Sequence, residues 1–264
     1  MKTMKKIFAM ILALAVLMTM AACGSKTETE KLDSEYIKEQ GKLIVGITDF
    51  APMDYQENGK WIGFDADMAT LFAESLGVAV EFVIIDWDLK ASELENKSID
   101  CVWNGMTLTD GVKAAMDTSA PYCKNAQVVV ISSDVAENYS TEASLGELTF
   151  AVEAGSAGEA VAAEKGFTAT GVADQATALL EVASGTCDAA IIDLLMAGAM
   201  IGEGTSYENL TYTVALNSEE YGVGFRKGSD LTEKLNAFFS TTYADGTMME
   251  IAEKYGVQES IIGQ

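Results

Sequence analysis

The chain has 264 residues, with 17 basic and 40 acidic side chains, a formal net charge of −23 and no histidine. Without histidine, Ser-His-Asp and Cys-His catalysis and His-ligated zinc sites are excluded, and we predict no metal site. A surface this acidic also disfavours nucleic acid and anionic lipid as partners.

The first 22 residues have the pattern of an export signal. A basic stretch, MKTMKK, precedes a fourteen-residue run at 7–20 that is apolar except for Thr19, and Ala21-Ala22-Cys23 follows. The apolar run is shorter than the roughly 20 residues that a membrane-spanning helix needs. We therefore predict a signal peptide over 1–22, with an N-terminal anchor that stays attached as the open alternative.

The residues around Cys23 predict how the mature chain begins. MAAC resembles the lipobox of bacterial lipoproteins, which implies cleavage before Cys23 and a lipid on its sulfur. The polar residues that follow predict a lipid-anchored tether over 23–35. The mature chain would hold about 240 residues, with 14 basic residues against 40 acidic ones.

From Lys42 onward, short apolar runs alternate with helical patterns. This alternation predicts an α/β fold with parallel sheets covered by helices. The predicted strands are 42–47, 78–85, 99–103, 126–133, 148–153 and 187–192. The predicted helices are 64–77, 91–98, 156–166, 174–185, 193–202, 230–243 and 246–255.

Ligands of such sheets bind beyond the carboxyl ends of the strands. The predicted strand ends bring aromatic, hydroxyl, amide and acidic side chains to this edge, namely Thr48-Asp49-Phe50, Asp86-Trp87-Asp88, Asn104-Gly105-Met106-Thr107, Ala154-Gly155-Ser156 and Asp193. Core packing is the alternative for Phe50 and Trp87, and helix capping is the alternative for the hydroxyls and Asp193. We expect Thr109 to cap the helix that follows it.

Three cysteines besides Cys23 are present: Cys101, Cys123 and Cys187. They form no CxxC motif, and an odd number cannot all pair within the chain. We expect buried free thiols, and a bridge between Cys101 and Cys123 is the open alternative.

Several motifs, in order, resemble the amino-acid-type solute-binding proteins of bacterial ABC importers, of the family 3 type. These are GFDADM at 63–68, IDCVWNGMTLT at 99–109, YGVGFRKGSDL at 221–231 and ADGTMMEIAEKYGV at 244–257. The resemblance implies a two-lobe periplasmic-binding-protein-like fold (type II), with parallel-rich sheets flanked by helices and two crossover strands as the hinge. It places the crossovers at about 125–131 and 220–226, lobe 1 at 36–125 plus 222–264, and lobe 2 at 126–221.

The resemblance also implies roles for individual residues. Aromatic rings would sandwich the ligand's side chain, a loop would bind its carboxylate, a serine would offer a backbone donor and an acid would hold its α-ammonium. Phe50 and Trp87 match the rings, and Asn104, Gly105, Met106 and Thr107 match the loop. Ser156 matches the serine, and Asp193 matches the acid. Asp49 lies beside the first ring and is a further candidate.

One family residue is absent. The arginine that grips the ligand's carboxylate in this family corresponds to Val112, and the chain's single arginine, Arg226, lies in the return strand. Losing one partner of a buried charge pair costs ~2–5 kcal/mol of binding free energy. The dipole at a helix N-terminus contributes only ~0.3–1 kcal/mol, which does not replace it. Two explanations stay open: the ligand is an amine without a standard α-carboxylate, or a lysine such as Lys113 or Lys124 supplies the charge.

These observations predict an extracellular solute-binding component of an ABC importer, with neither enzymatic activity nor a cofactor. It would capture a small polar amine-bearing solute, an amino acid or related amine, and deliver it to the transmembrane permease subunits. It would be exported and held at the outer face of the cell membrane by its lipid alone. The alternative is an enzyme resembling cyclohexadienyl dehydratase on the same fold. Such an enzyme needs cationic groups for its substrate's carboxylates.

Overall fold

The computed structural model describes residues 31–264, so the predicted signal peptide, Cys23 and most of the tether lie outside the described residues. The first helix, α1 (Asp33–Gln40), starts two residues before the predicted end of the tether at Glu35. The reason is local: Asp33 is held by Arg226 and Ser34 by Asp230, so this polar stretch is fixed to the fold. Within the described residues no helix is both long and apolar enough to cross a bilayer.

Strands and helices alternate along the chain as predicted, with additional short strands. The strands are β1 (Lys42–Ile47), β2 (Tyr55–Glu57), β3 (Lys60–Ile62), β4 (Ala79–Ile84), β5 (Cys101–Thr107), β6 (Asp117–Thr118), β7 (Cys123–Asn125), β8 (Gln127–Ser132), β9 (Thr149–Glu153), β10 (Thr168–Val172), β11 (Ala189–Asp193), β12 (Leu210–Ala215) and β13 (Glu219–Phe225). The helices after α1 are α2 (Phe64–Ser75), α3 (Lys90–Glu95), α4 (Asp110–Ala115), α5 (Ala157–Lys165), α6 (Gln175–Ser184), α7 (Leu194–Met200), α8 (Leu231–Ala244) and α9 (Thr247–Tyr255).

The strands form two main sheets, one in each lobe. The first has the order β4-β1-β5-β13-β6, with β7 also paired to β13; the second has the order β10-β9-β11-β8-β12. In each sheet the βαβ strands pair in parallel, whereas β13 and β8 run antiparallel to their neighbours. The chain passes between the sheets twice, from β7 to β8 and from β12 to β13. This confirms the predicted two-lobe α/β fold with two crossovers.

Three features of the sheets differ from the sequence prediction. Strand β5 continues through Thr107, although 104–107 was predicted to be a loop, because β13 pairs with it at Met106 and Thr107. The edge strands β10 and β12 were not predicted, since their residues are polar or only partly buried and form no continuous apolar run. The small hairpin of β2 and β3 was also missed.

Helix ends follow the sequence closely. Thr109 caps α4 as expected, because its hydroxyl accepts a hydrogen bond from Val112 N at 3.1 Å. Ser156 and Asp174 cap α5 and α6 in the same way, and both helices end at a glycine with positive φ, Gly166 and Gly185. These caps fix the strand-to-helix turns on which the predicted ligand-binding side chains lie.

The three described cysteines are free thiols, as expected. Cys101 and Cys123 are buried and Cys187 is partly exposed. Burial raises the pKa of the Cys101 thiol well above its usual range, so it packs as a small apolar group.

Arg226 joins the return strand to the N-terminal helix. Its guanidinium lies 3.1 Å from Asp33 and 3.1 Å from Asp100, and it donates to the carbonyl of Ile99 at 2.7 Å. All three charged side chains are largely buried, so the arginine is fully committed to this network. It is therefore unable to replace the missing carboxylate clamp.

We expect Arg226→Met to lower the free energy of unfolding by roughly 3–5 kcal/mol, because it leaves two buried carboxylates without their partner. Urea denaturation would measure the change. Lys227→Met is the matched control, since Lys227 forms an exposed pair with Asp117 and its loss should cost under about 1 kcal/mol. Equal losses in the two variants would contradict the structural role of the network.

Candidate functional site

A cavity of about 540 Å³ lies between the two lobes. This volume is within the range of roughly 300–1,000 Å³ that is typical of small-molecule sites. Its wall contains eight of the nine predicted ligand-binding residues, namely Phe50, Trp87, Asn104, Gly105, Met106, Thr107, Ser156 and Asp193. The residues that the strand-end argument selected therefore lie together around one cavity.

Asp49 is the ninth predicted residue, and it is exposed and does not line the cavity. Its carboxylate interacts with that of Asp174, which lies in the other lobe at the start of α6. Partial burial, and then this neighbouring negative charge, raise the pKa of Asp49. Asp49 and Asp174 thus form an acidic pair at the edge of the cleft.

The two predicted rings are buried, with 2 % of Phe50 and 6 % of Trp87 exposed. Phe50 packs edge-on against Tyr221, and it lies so close to β5 that a Cβ on Gly105 would come within 2.5 Å of the ring. Trp87 already has a cation beside it, since the Lys90 ammonium is 4.8 Å from the ring centroid. One face of the indole is therefore occupied by the protein's own charge.

The predicted carboxylate-binding groups of β5 are engaged within lobe 1. Asn104 Oδ1 accepts hydrogen bonds from the backbone and hydroxyl of Thr48, and its Nδ2 donates to Thr48 O and to Asp54 Oδ2. Gly105 N donates to Asp65 Oδ2 at 2.7 Å. These bonds position the cavity wall and leave Asn104 and Gly105 few donors for a ligand carboxylate.

Asp193 lies at the end of β11 and is almost saturated with neutral donors. Its Oδ1 accepts from Gln127 Nε2 at 3.0 Å, Tyr221 Oη at 2.7 Å and the Asn125 amide. Its Oδ2 accepts from the Gln175 amide. A carboxylate has about four acceptor positions, so only part of Oδ2 stays available to a ligand.

A second acid, Glu219, shares two of those donors. Its Oε1 accepts from Asn125 and Gln127, both at 2.7 Å, and from the Thr107 hydroxyl at 2.9 Å. Burial, and then the nearby Glu219 charge, raise the pKa of Asp193 well above its usual range. Asn125 and Gln127 lie on one crossover and Glu219 lies on the other. This network therefore links Asp193, in the cavity wall, to both crossovers.

Glu153 is a cavity residue that the sequence analysis missed. It is the last residue of β9, lines the cavity and is 2 % exposed, and within the described residues its Oε1 has no hydrogen-bond partner. Burial raises the pKa of Glu153 to about 8, with smaller opposing effects of Thr48, Lys90 and Gln175 and a further rise caused by Asp174. The prediction considered the residues that follow this strand, but not its final side chain.

The sequence analysis also did not identify the cation that lines the cavity. Among the described residues that line the cavity, Lys90 is the only lysine or arginine. Val112 lines the wall where the family has its arginine, whereas Lys113 and Lys124 line an adjoining pocket. Burial lowers the pKa of the Lys90 ammonium.

Two contacts show that the cleft is closed. The Lys90 ammonium on lobe 1 donates to the carbonyl of Gly155 on lobe 2 at 2.9 Å, as well as to the carbonyl of Trp87. A Cβ on Gly155 would lie 2.6 Å from the Asp88 Cα, so this approach of the lobes requires glycine. Within the described residues no cluster of three or more metal-ligating side chains was found.

The sequence profile of the bacterial extracellular solute-binding proteins, family 3, matches residues 43–258. The chain belongs to this family, which confirms the resemblance stated above and supports the predicted export.

Two related proteins match over most of their length. The arginine-binding extracellular protein ArtP of Bacillus subtilis (strain 168) is 28% identical over 259 residues, which cover 96% of this chain and 98% of ArtP. A crystal structure of a mutant of ArgBP from T. maritima has a TM-score of 0.79 and 31% identity, and covers 85% of this chain and 99% of that one.

The similarity to an enzyme is shorter. Cyclohexadienyl dehydratase of Pseudomonas aeruginosa is 29% identical over 123 residues, which are 46% of this chain and 45% of the enzyme. The relatives that match over nearly the whole chain are binding proteins.

Proposed function

We propose that this protein is the exported solute-binding component of an ABC importer, and that its ligand is an amine-bearing solute, either an amino acid or a related amine. The ligand is held between lobe 1 (36–125 plus 222–264) and lobe 2 (126–221). The crossovers act as the hinge, and the closed form is populated to the extent that the ligand binds it better than the open form. The protein then delivers the solute to the permease.

The observation that carries the proposal is the charge of the cavity wall. Glu153 and Asp193 are buried carboxylates, Lys90 is the single cation of the described wall, and Val112 replaces the carboxylate-binding arginine. A buried carboxylate without a cation is costly, and a protonated nitrogen of the ligand offsets that cost. A ligand carboxylate finds few donors, because those of Asn104 and Gly105 are already used.

The remaining predicted residues receive proposed roles that fit this arrangement. Asp193 accepts the ligand's ammonium at its free Oδ2 position. Phe50, Met106 and the open face of Trp87 cover the apolar part of the ligand, and the Ser156 and Thr107 hydroxyls hydrogen-bond to it. Asn104 and Gly105 keep β5 in place, and Asp49 attracts cations at the cleft edge.

The chain's attachment is a further part of the proposal. We place the lipid on Cys23, so that contact with the membrane is through the anchor, and we expect the permease to dock on the closed lobes.

Isothermal titration calorimetry with a panel of solutes tests this function. We expect binding of basic amino acids and amines, no binding of glutamate or aspartate, and no binding or turnover of prephenate. At a hundred times the dissociation constant, a true ligand should add ~2.7 kcal/mol to the stability. Tight binding of alanine through its carboxylate would contradict recognition by the amine alone, and prephenate turnover would favour the dehydratase alternative.

A further inference from the structure

One oxygen of the buried Glu153 carboxylate, in the cavity wall, has no hydrogen-bond partner within the described residues. We propose that Glu153 binds a second protonated nitrogen, so that the preferred ligands carry two cationic groups. This inference rests on the proposed function and names the substrate class of the same cavity.

The side chains of Thr48 and Gln175 hydrogen-bond to this carboxylate, but they leave one of its two oxygens without a partner. Within the described residues Glu153 Oε1 accepts no hydrogen bond, although it lies in a wall that is almost inaccessible to water. Lys90 is the nearby cation, but its ammonium donates to the carbonyls of Trp87 and Gly155. A native structure pairs nearly all buried polar atoms, so an unpaired acceptor on a side chain that lines a cavity indicates a ligand group.

The two buried carboxylates of the cavity, Asp193 and Glu153, differ in what they offer. Asp193 receives hydrogen bonds from four side chains, whereas one oxygen of Glu153 receives none. Gln175 donates to Asp193 and is also a neighbour of Glu153, so both acids lie on the same side of the cavity wall in lobe 2. An extended solute with a nitrogen at each end can reach both.

Charge balance leads to the same ligand class. With Lys90 and Asp174 as its charged neighbours and little water, Glu153 holds a proton near neutral pH in the empty closed cleft. A cation placed against it favours the ionised form, so the proton is released to solvent on binding. A second cation therefore strengthens binding and couples it to pH.

Matched ligand pairs test the proposal on the unmodified protein. Arginine and citrulline have nearly the same shape, but the side chain of citrulline is neutral. Cadaverine and pentylamine differ by one amine in the same way. In each pair we call the member with two cationic groups the dication and the member with one the monocation, whatever other charges they carry. By calorimetry we expect the dication of at least one pair to bind about 30-fold or more tightly than its monocation. Affinities within about threefold in both pairs would overturn the proposal.

A variant then assigns the effect to Glu153. In Glu153→Gln, the preference for the dication should fall to under about threefold while the affinity for the monocation is retained. Glu147→Gln, an exposed acid of the same lobe, is the control and should keep the full preference. An unchanged preference in Glu153→Gln would overturn the assignment.

Proton release provides a second readout. Calorimetry at pH 7 in two buffers with different ionisation enthalpies should show that binding of the dication releases close to one proton more in the original protein than in Glu153→Gln. Asp193, whose pKa is also raised, contributes equally in both proteins. Binding of the dication without proton release in the original protein would overturn the proposed coupling. Failure of every amine to bind would instead contradict the proposed function.

Discussion

Replacing Asp193 with asparagine is expected to weaken the binding of an amine ligand by about 30-fold to several-thousand-fold. The exchange keeps the size of the side chain but removes the charge that faces the ligand's ammonium. Truncating one partner of a buried charge pair costs ~2–5 kcal/mol, and each 1.4 kcal/mol is about tenfold in affinity. Titration calorimetry with the best ligand of the panel would measure the loss.

The control for Asp193→Asn is Asp134→Asn, which removes an exposed carboxylate from the same lobe. It should leave the affinity unchanged within about twofold. The donors around Asp193 face an amide nitrogen in the variant, so urea denaturation must first show that it is folded. Full affinity in folded Asp193→Asn would mean that the ammonium is held elsewhere.

The second large effect is a decrease in the stability of the ligand-free protein as the pH rises from 5 to 7. Burial raises the pKa of Asp65 to about 7, and hydrogen bonds from Tyr122 and Gly105 only partly oppose this. Burial, and then the Asp65 charge, raise the pKa of Asp54 well above its usual range. Both groups lie inside lobe 1, so their pKa values do not depend on the closure of the cleft.

The sign of the effect follows from proton binding. Between the unfolded pKa of 3.8 and the folded value of about 7, the folded protein holds protons that the unfolded chain has lost. The free energy of unfolding therefore falls with rising pH, by about 1.4 kcal/mol per pH unit for each such group. The stabilisation of the folded state by these protons is fully present below pH ~4, and it is lost once the pH exceeds the folded pKa.

Urea denaturation at pH 5, 6 and 7 would measure this slope. In Asp65→Asn the slope should be clearly smaller, because one of the two coupled acids is removed. Asp67→Asn is the control: Asp67 lies on the same helix but is paired with Lys254 at the surface, and the slope should stay the same. A stability that is flat or rises between pH 5 and pH 7 would contradict the assignment.

Much of the fold could be predicted from the sequence because apolar runs and helix caps are local signals. The bounds of β1 were predicted at 42–47, and the strand-end rule brought Phe50, Trp87 and Asp193 into one cavity. Edge strands such as β10 carry polar residues, so their pairing depends on neighbours that are distant in the sequence.

The site was predicted less well because its chemistry depends on distant partners. Asn104 and Gly105 have the residue types of ligand donors, yet Asp54 and Asp65 engage them from about 40 to 50 positions earlier in the chain. Glu153 is an ordinary strand residue in the sequence, and only the fold places it, with one oxygen unpaired, against a cavity. Lys90 reaches the cavity because helix α3 starts directly after Trp87-Asp88-Leu89.

In the proposed function, the protonated nitrogens of the ligand provide most of its affinity, and its carboxylate contributes little. The most direct measurement compares arginine with agmatine, which is arginine without the carboxylate, by titration calorimetry at pH 7. We predict that agmatine binds within about fivefold of arginine or more tightly. Arginine binding that is more than about 30-fold tighter than agmatine binding would reveal a carboxylate clamp and contradict the account.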